Sequence, residues 1–172
     1  MRVAILGCGY VGLELARQLT PDHEVIGVRR STLDAVRETG ARAVEADVTD
    51  ADALAELPDV DALVFAASSG GRGAEAAREV YVEGLETAID AFADRESPPD
   101  QLVYTSSTGV YGDHDGDWVD ESTPIEPTTE KTAVLAEAER IATEYTAERG
   151  IDGTVARFAG LYGPDRYRLD RY

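Results

Sequence analysis

The stretch MRVAILGCGYVGLE, residues 1–14, decides the fold of this chain. Its first part, residues 2–6, is a short apolar run rich in β-forming side chains, which is typical of a strand buried on both faces of a parallel sheet. Gly7, Gly9 and Gly12 follow at the G-x-G-x-x-G spacing, and residues 13–19 continue with an apolar stripe of helical period. The stretch therefore predicts a strand, a glycine turn and a helix.

The three glycines predict a site for the diphosphate of a dinucleotide. Gly7 permits the tight turn, Gly9 lets the backbone approach a diphosphate, and Gly12 lets the helix pack closely on the strand. Tyr10 and Val11 begin the helix, whose free N–H groups and positive dipole end would face the phosphates. Because glycine-rich turns also form plain strand-to-helix corners, a purely structural turn is the alternative.

Composition indicates one domain with a strongly acidic surface. The chain has 172 residues and a net charge of −18, from 34 acids against 16 bases, and Lys131 is its single lysine. Such a surface repels nucleic acid and anionic lipid, so we expect neither as a partner. Acids scattered along the whole chain with almost no lysine resemble the surfaces of proteins from salt-loving organisms, and we interpret the acidity as a sign of habitat.

Two further features indicate a cytoplasmic protein. No apolar run approaches the ~20 residues that a membrane span needs, and no leader precedes the first strand. The single cysteine, Cys8, cannot form an internal disulfide, which suits a reducing compartment. We interpret Cys8 as a small residue tolerated within the glycine turn, with a redox role as the alternative.

The second predicted strand, residues 24–28, ends in Arg29 and Arg30. In a dinucleotide fold the tip of this strand meets the adenosine ribose, where an acid accepts from the 2′-hydroxyl of NAD and an arginine pairs with the 2′-phosphate of NADP. Two arginines and no acid at the tip predict NADP rather than NAD. The alternative is that both arginines only offset the acidic surface.

The third predicted strand, residues 41–46, leads into Asp47 and Val48. Asp47 can hydrogen-bond an adenine amino group while Val48 packs on the ring. An equal alternative is that Asp47 or Thr49 only caps a helix over residues 51–57.

The fourth predicted strand, residues 60–67, ends in Ala66 and Ala67, which are small enough to lie along a bound dinucleotide. A long helix over residues 74–95 follows, and its apolar spacing predicts core contacts and no binding role. The apolar positions of that helix are Ala77, Val80, Tyr81, Leu85, Ala88, Ile89 and Phe92.

The last third of the chain repeats the alternation of strand and helix. A fifth strand is predicted over residues 101–105, a helix from Thr128 or Thr129 to residue 149, and a sixth strand over residues 154–158. Residues 113–120, DHDGDWVD, lack the glycine and glutamate positions of a calcium loop, so we predict no metal site. Six alternations predict an α/β Rossmann fold, a doubly wound parallel sheet in the order 3-2-1-4-5-6 with helices on both faces.

Three motifs carry a family resemblance: TSSTGVYG at residues 105–112, DESTPIEP at 120–127 and ARFAGLYGP at 156–164. Together they resemble the extended short-chain dehydrogenase/reductases, which include NAD-dependent epimerases and dehydratases of nucleotide sugars. The resemblance implies that Ser107 is the active-site hydroxyl that hydrogen-bonds the reacting oxygen of a sugar. It also implies pairing of two copies through the helices at 74–95 and 129–149, and hence a homodimer.

The chain departs from that family in its catalytic pair. The family's glycine spacing is G-x-x-G-x-x-G, and its Tyr-x-x-x-Lys pair falls here on Lys131 and Leu135. Leu135 cannot assist a proton transfer or hold a nicotinamide ribose, so Lys131 is a candidate substitute acid, with a solvated surface lysine as the alternative.

Two readings of the function therefore stay open. One is an NAD(P)-dependent oxidoreductase or epimerase acting on a nucleotide-linked sugar or another small polar substrate. The other is a non-catalytic dinucleotide-binding sensor, since the front half is also similar to nucleotide-binding domains that regulate potassium transport. The family continues into a C-terminal substrate lobe, whereas this chain stops at residue 172, so we expect one dinucleotide-binding domain over residues 1–172, either a fragment or a lobe standing alone.

Overall fold

The computed structural model describes residues 1–71, 73–164 and 166, and these form one six-stranded parallel sheet in the order β3-β2-β1-β4-β5-β6. The predicted Rossmann fold and strand order are confirmed. The strands are β1 Arg2–Leu6, β2 Glu24–Arg29, β3 Arg42–Glu45, β4 Ala62–Phe65, β5 Gln101–Ser107 and β6 Asp152–Phe158. The helices are α1 Tyr10–Leu19, α2 Asp34–Arg37, α3 Ala51–Ala55, α4 Ala74–Arg78, α5 Gly84–Ala93, α6 Glu130–Arg140 and α7 Thr146–Glu148.

The central strand β1 shows why the fold begins as it does. It pairs with β2 on one side and with β4 on the other, so both of its edges are satisfied within the sheet. Ala4 and Leu6 point into the core beneath α3 to α6, while Val3 and Ile5 point into the core beneath α1 and α2. Because side chains alternate between the two faces of a strand, a strand covered on both faces needs a continuous apolar run.

Both long helices predicted from the sequence are interrupted by π-helical turns. The predicted helix 74–95 consists of α4, a π turn at Glu79–Glu83 and α5, and the Gly84 N–H donates to the Glu79 carbonyl across that turn. A second π turn, Ile141–Tyr145, separates α6 from α7. Hydrophobic periodicity does not reveal an inserted residue, and π turns recur at functional sites.

The helix starts are partly as predicted. The Thr129 hydroxyl caps α6 by accepting from the Thr132 N–H, and the Thr132 hydroxyl accepts from the Thr129 N–H, which completes a capping box. The alternative that Asp47 or Thr49 caps α3 is wrong, because Asp50 accepts from the Ala53 N–H at 3.1 Å. Asp47 instead accepts from both the N–H and the hydroxyl of Thr49.

Within the part of the chain that the structure describes, no helix has the length and apolar character that a membrane crossing requires. The end of the domain predicted at residue 172 lies outside the described residues.

Candidate dinucleotide and substrate site

The glycine turn joins β1 to α1 beneath open space. The N–H groups of Gly7 and Cys8 both donate to the Val28 carbonyl, at 3.0 and 2.9 Å, which fixes the turn against β2. Gly7 has a φ of +103°, and a Cβ there would collide with the backbone of Ala67. A Cβ on Gly9, by contrast, would meet no atom within 4 Å. The turn is therefore packed against the Ala67 backbone at Gly7 and borders open space at Gly9, as a diphosphate site requires.

The start of α1 faces the same open space. Gly9 is the N-cap of this helix, and no side chain caps it. A Cβ on Gly12 would lie 2.5 Å from the Gly7 carbonyl oxygen, so only glycine lets the first turn of α1 sit this close to the loop. Uncapped N–H groups at a helix start bind anions well, and the geometry fits the diphosphate of a dinucleotide.

A small hollow of about 240 Å³ lies on the β2–β3 side of the turn and is bordered by Arg29, Arg30, Asp47, Val48 and Ala66. The guanidinium of Arg30 lies 3.7 Å from the carboxylate of Asp47 across the hollow, and both side chains remain well exposed. Burial acts to raise the pKa of Asp47, but the hydrogen bonds from Thr49 and the charge of Arg30 outweigh it, so the pKa lies below its ordinary value. The structure thus brings together the four residues predicted to contact the adenosine half and Ala66, which was predicted to lie along the dinucleotide.

A large pocket of about 860 Å³ lies on the other side of the turn. Its lining residues are Gly9, Tyr10, Val11, Ala66, Ala67, Ser68, Tyr81, Thr105, Ser106, Ser107, Thr108, Lys131, Leu135, Phe158, Ala159, Gly160, Leu161 and Arg166. The carboxyl ends of β1, β4, β5 and β6 all contribute, as expected for a ligand crevice at the switch point of a doubly wound sheet. Gly9, Ala66, Ala67 and Ser68 border both hollows, which therefore lie side by side along the glycine turn and the loop after β4.

The predicted chemical residues meet in this large pocket. Ser107 is half-buried at the end of β5, and its Oγ accepts from the Gly109 N–H at 3.1 Å. Lys131 and Leu135 are one turn apart on α6, and both line the pocket. Lys131 is exposed and Leu135 is buried, so this wall offers one ammonium and one apolar side chain. The roles of Ser107 and Lys131 stay predictions.

Val80 and Tyr81 were both predicted to be core. Val80 is buried in the core as predicted and also borders the small hollow. Tyr81 packs against the core, but it is half-buried and also lines the large pocket, a role that the sequence prediction missed. Both residues lie in the π turn Glu79–Glu83. The available signal was chemical, since Tyr81 is the one member of its apolar stripe with a hydroxyl.

Directly behind the pocket, a buried carboxylate links three elements. Glu139 of α6 is 4% exposed, and it accepts from the Ser106 hydroxyl at 2.6 Å and from Arg157 Nη2 at 2.7 Å. Arg157 of β6 also donates to the Tyr111 hydroxyl at 2.7 Å. The hydrogen bonds to Glu139 raise the pKa of Arg157 above its ordinary value, so the guanidinium keeps its charge. Sequence reading missed this network because its members are far apart along the chain.

The environment of the Cys8 thiol and the possible metal ligands of the chain complete the description of its polar groups. Cys8 is fully buried, and burial raises the pKa of its thiol to about 11, so the thiol stays protonated at neutral pH. Among residues 1–71, 73–164 and 166, no group of three or more His, Cys, Asp or Glu side chains could hold a metal ion.

Comparisons with known proteins agree with this architecture. The model of the NAD dependent epimerase/dehydratase family matches residues 3–171. Protein YeeZ of Escherichia coli strain K12 is 32% identical over 176 residues, covering 96% of this chain and 61% of that protein. The UDP-glucose 4-epimerase of Corynebacterium glutamicum is 29% identical over 167 residues, covering 91% of this chain and 51% of the epimerase.

A solved structure is also similar. The DesIV dTDP-glucose 4,6-dehydratase from Streptomyces venezuelae, determined with NAD bound, superposes with a TM-score of 0.84 at 28% identity. The match covers 98% of this chain and 59% of the dehydratase. The chain thus spans between about half and three-fifths of the length of these relatives.

Proposed function

The chain belongs to the NAD-dependent epimerase/dehydratase family, and from that premise we propose that it binds a nicotinamide dinucleotide across its two hollows. The observation that carries the proposal is the glycine turn, which is closed beneath Gly7 and open above Gly9 between the small hollow and the large pocket. A dinucleotide has two nucleoside halves joined by a diphosphate, and this site has two hollows joined at a diphosphate-type turn. When bound, the nicotinamide ring supplies hydride chemistry.

The residues of the chain divide between the two halves of this ligand. Gly9, Tyr10 and Val11 receive the diphosphate through the start of α1. Asp47 and Val48 hold the adenine, with Asp47 accepting from the amino group. Ala66 and Ala67 lie along the middle of the ligand, where larger side chains would block it.

We place a nucleotide-linked sugar or another small polar substrate in the remainder of the large pocket. Ser107 hydrogen-bonds its reacting oxygen, and Lys131 gives a proton to that oxygen or removes one. Lys131 is exposed here, so it can act in this way only when the substrate covers it and displaces water. The oxidoreductase or epimerase activity therefore rests on a lysine in the place of the family's tyrosine.

The choice between NADP and NAD rests on the tip of β2. Arg29 and Arg30 at that tip support NADP, because guanidinium groups pair with a 2′-phosphate. The family is named for NAD, and the dehydratase structure contains NAD. Arg30 also lies near Asp47, which competes with a phosphate for the guanidinium. The NADP preference therefore remains a prediction that rests on the two arginines.

A calorimetric titration of the chain with NADH and NADPH, separately and in high salt, tests the proposal. We expect binding of at least one of them, and tighter binding of NADPH if both arginines meet a 2′-phosphate. Absence of binding by either would overturn the proposal for this chain. High salt is used because the net charge of −18 repels an anionic ligand.

A second candidate is a non-catalytic dinucleotide sensor, and Leu135 in the pocket wall favours it. Leu135 occupies the position one turn beyond Lys131 on α6, where the family has a lysine, and its apolar side chain cannot support a proton transfer. Incubation with NAD and either UDP-glucose or dTDP-glucose, followed by product analysis, separates the candidates. Turnover of either sugar nucleotide would exclude the sensor.

The homodimer, the cytoplasmic location and the salt-loving habitat remain further proposals. Sedimentation of the chain in high and low salt measures both the oligomeric state and the dependence of folding on salt. A protein adapted to salt should unfold at low ionic strength, since its acidic surface is then unscreened.

A further inference from the structure

The π turn between α4 and α5 brings a phenol into the large pocket. Tyr81 is the middle residue of that turn, Glu79–Glu83, and its ring lines the pocket. Its hydroxyl oxygen accepts from the Ser69 N–H at 3.3 Å. Within the described residues no acceptor takes the O–H proton of Tyr81, so the hydroxyl has a donor to offer inside the pocket.

Tyr81 lines the large pocket beside the loop that borders both hollows. The loop after β4 runs between them, since Ala67 and Ser68 border both, and Ser69 is the next residue of that loop. The same loop lies against the glycine turn, because a Cβ on Gly7 would collide with the Ala67 backbone. A ligand with its diphosphate at the turn must pass this loop to enter the large pocket. The first group to arrive beyond the diphosphate is a ribose.

A ribose carries two adjacent hydroxyls, and burying them without partners is costly. Leu135, on the α6 wall of the pocket, has no polar group to offer them, and Lys131 one turn earlier is exposed. Tyr81 is half-buried, and its hydroxyl is held by the Ser69 N–H while its proton has no acceptor among the described residues. A fixed hydroxyl with an unused donor suits a sugar diol.

We propose that the Tyr81 hydroxyl donates to the nicotinamide-side ribose and so holds the inner half of the dinucleotide. The inference rests on the proposed function, because it requires a nicotinamide dinucleotide in the two hollows. It assigns a ligand contact to Tyr81, a residue of the apolar stripe predicted for the helix over residues 74–95. It also explains how the pocket can hold this ribose with a leucine at position 135.

The test compares two ligands on the Tyr81→Phe variant. NADH contains the second ribose, whereas ADP contains only the adenosine and diphosphate parts. Tyr81→Phe should weaken NADH binding about five- to tenfold, as loss of one net hydrogen bond predicts, and leave ADP binding unchanged. Tyr145→Phe is the matched control, because it removes a phenol hydroxyl that bonds Asp90 at 2.8 Å outside both hollows.

Each outcome of this comparison is decisive. Equal loss of NADH and ADP affinity would mean that Tyr81 only anchors the loop at Ser69, and it would overturn the inference. Unchanged affinity for both ligands would also overturn it. If the unmodified chain bound neither NADH nor NADPH, the proposed function itself would fail, and the role of Tyr81 would fail with it. If it bound NADPH alone, NADPH would replace NADH in the comparison. A thermal melt of each variant measures whether the fold is retained.

Discussion

The buried carboxylate of Glu139 and the partly buried guanidinium of Arg157 form an ion pair, with 2.7 Å between Oε2 and Nη2. The pair joins α6 to β6, and the Ser106 hydroxyl joins it to β5. Ser106 precedes Ser107, so this ion pair supports the strand end that carries the proposed substrate-binding hydroxyl. The elements α6, β5 and β6 are thereby fixed to one another directly behind the large pocket.

Replacing Glu139 with Gln should lower the free energy of unfolding by about 1.5–3 kcal/mol, because the partly buried Arg157 would lose its counter-ion and its charge-assisted hydrogen bonds. Glu137→Gln on the same helix is the matched control. It breaks the exposed pair with Arg78 and should cost less than about 1 kcal/mol. Urea denaturation of the two variants measures both values. Similar losses would show that the Glu139 pair gains nothing from its burial.

Replacing Gly9 with Ala should separate folding from ligand binding. The added methyl group meets no protein atom within 4 Å, so the free energy of unfolding should change by less than about 1 kcal/mol. The methyl group would stand in the proposed diphosphate position, so NADH affinity should fall at least about tenfold.

Gly7→Ala is the contrasting variant, because Gly7 has a φ of +103° and lies against Ala67. It should destabilise the fold by about 2 kcal/mol or more. Thermal melts and NADH titrations measure both properties. Unchanged NADH affinity in the Gly9 variant would place the diphosphate elsewhere.

Replacing both Arg29 and Arg30 with Ala should weaken NADPH binding more than NADH binding, since only NADPH carries the 2′-phosphate. One lost guanidinium–phosphate pair predicts a difference of about tenfold. The double variant Arg17→Ala, Arg37→Ala is a control with the same change of net charge, because these two arginines pair with Glu14 and Asp34 and line neither hollow. Equal losses for both cofactors would mean that the two arginines do not meet the 2′-phosphate.

The buried thiol of Cys8 should make stability fall at alkaline pH. Burial raises its pKa from the ordinary 9.0 to about 11, so the unfolded chain releases this proton first as the pH rises. The contribution is fully present below pH 9.0 and is lost towards pH 11. The slope should be about 1.4 kcal/mol per pH unit. Urea denaturation across that range should show this slope in the native chain and a smaller one in Cys8→Ala.

The double variant Lys131→Tyr, Leu135→Lys tests the proposed sensor against the proposed enzyme. It restores the Tyr-x-x-x-Lys pattern at two positions that both line the large pocket. If only that pair is missing, the variant should oxidise or epimerise UDP-glucose or dTDP-glucose faster than the native chain. Lys131→Met should abolish any native turnover. Native turnover that survives in Lys131→Met would remove Lys131 from the chemistry.

Local sequence was sufficient to predict most of the residues that border the two hollows. The glycine turn and the strand tips at Arg29, Asp47 and Ala66 lie where a parallel sheet must place them, since carboxyl ends of its strands meet at one edge. The Thr129 cap of α6 was equally readable, because a capping box involves residues three apart. Boundaries were less accurate: β5 runs on to Ser107, and α3 ends at Ala55.

By itself, the sequence determined the alternation of strands and helices, the sheet order and the glycine turn, because each depends on spacing over a few residues or on general rules of chain connection. Only the tertiary structure decided that Tyr81 lines the large pocket and that Glu139 pairs with Arg157. The first depends on a π turn that periodicity does not encode, and the second on two elements that meet only when β6 joins the sheet.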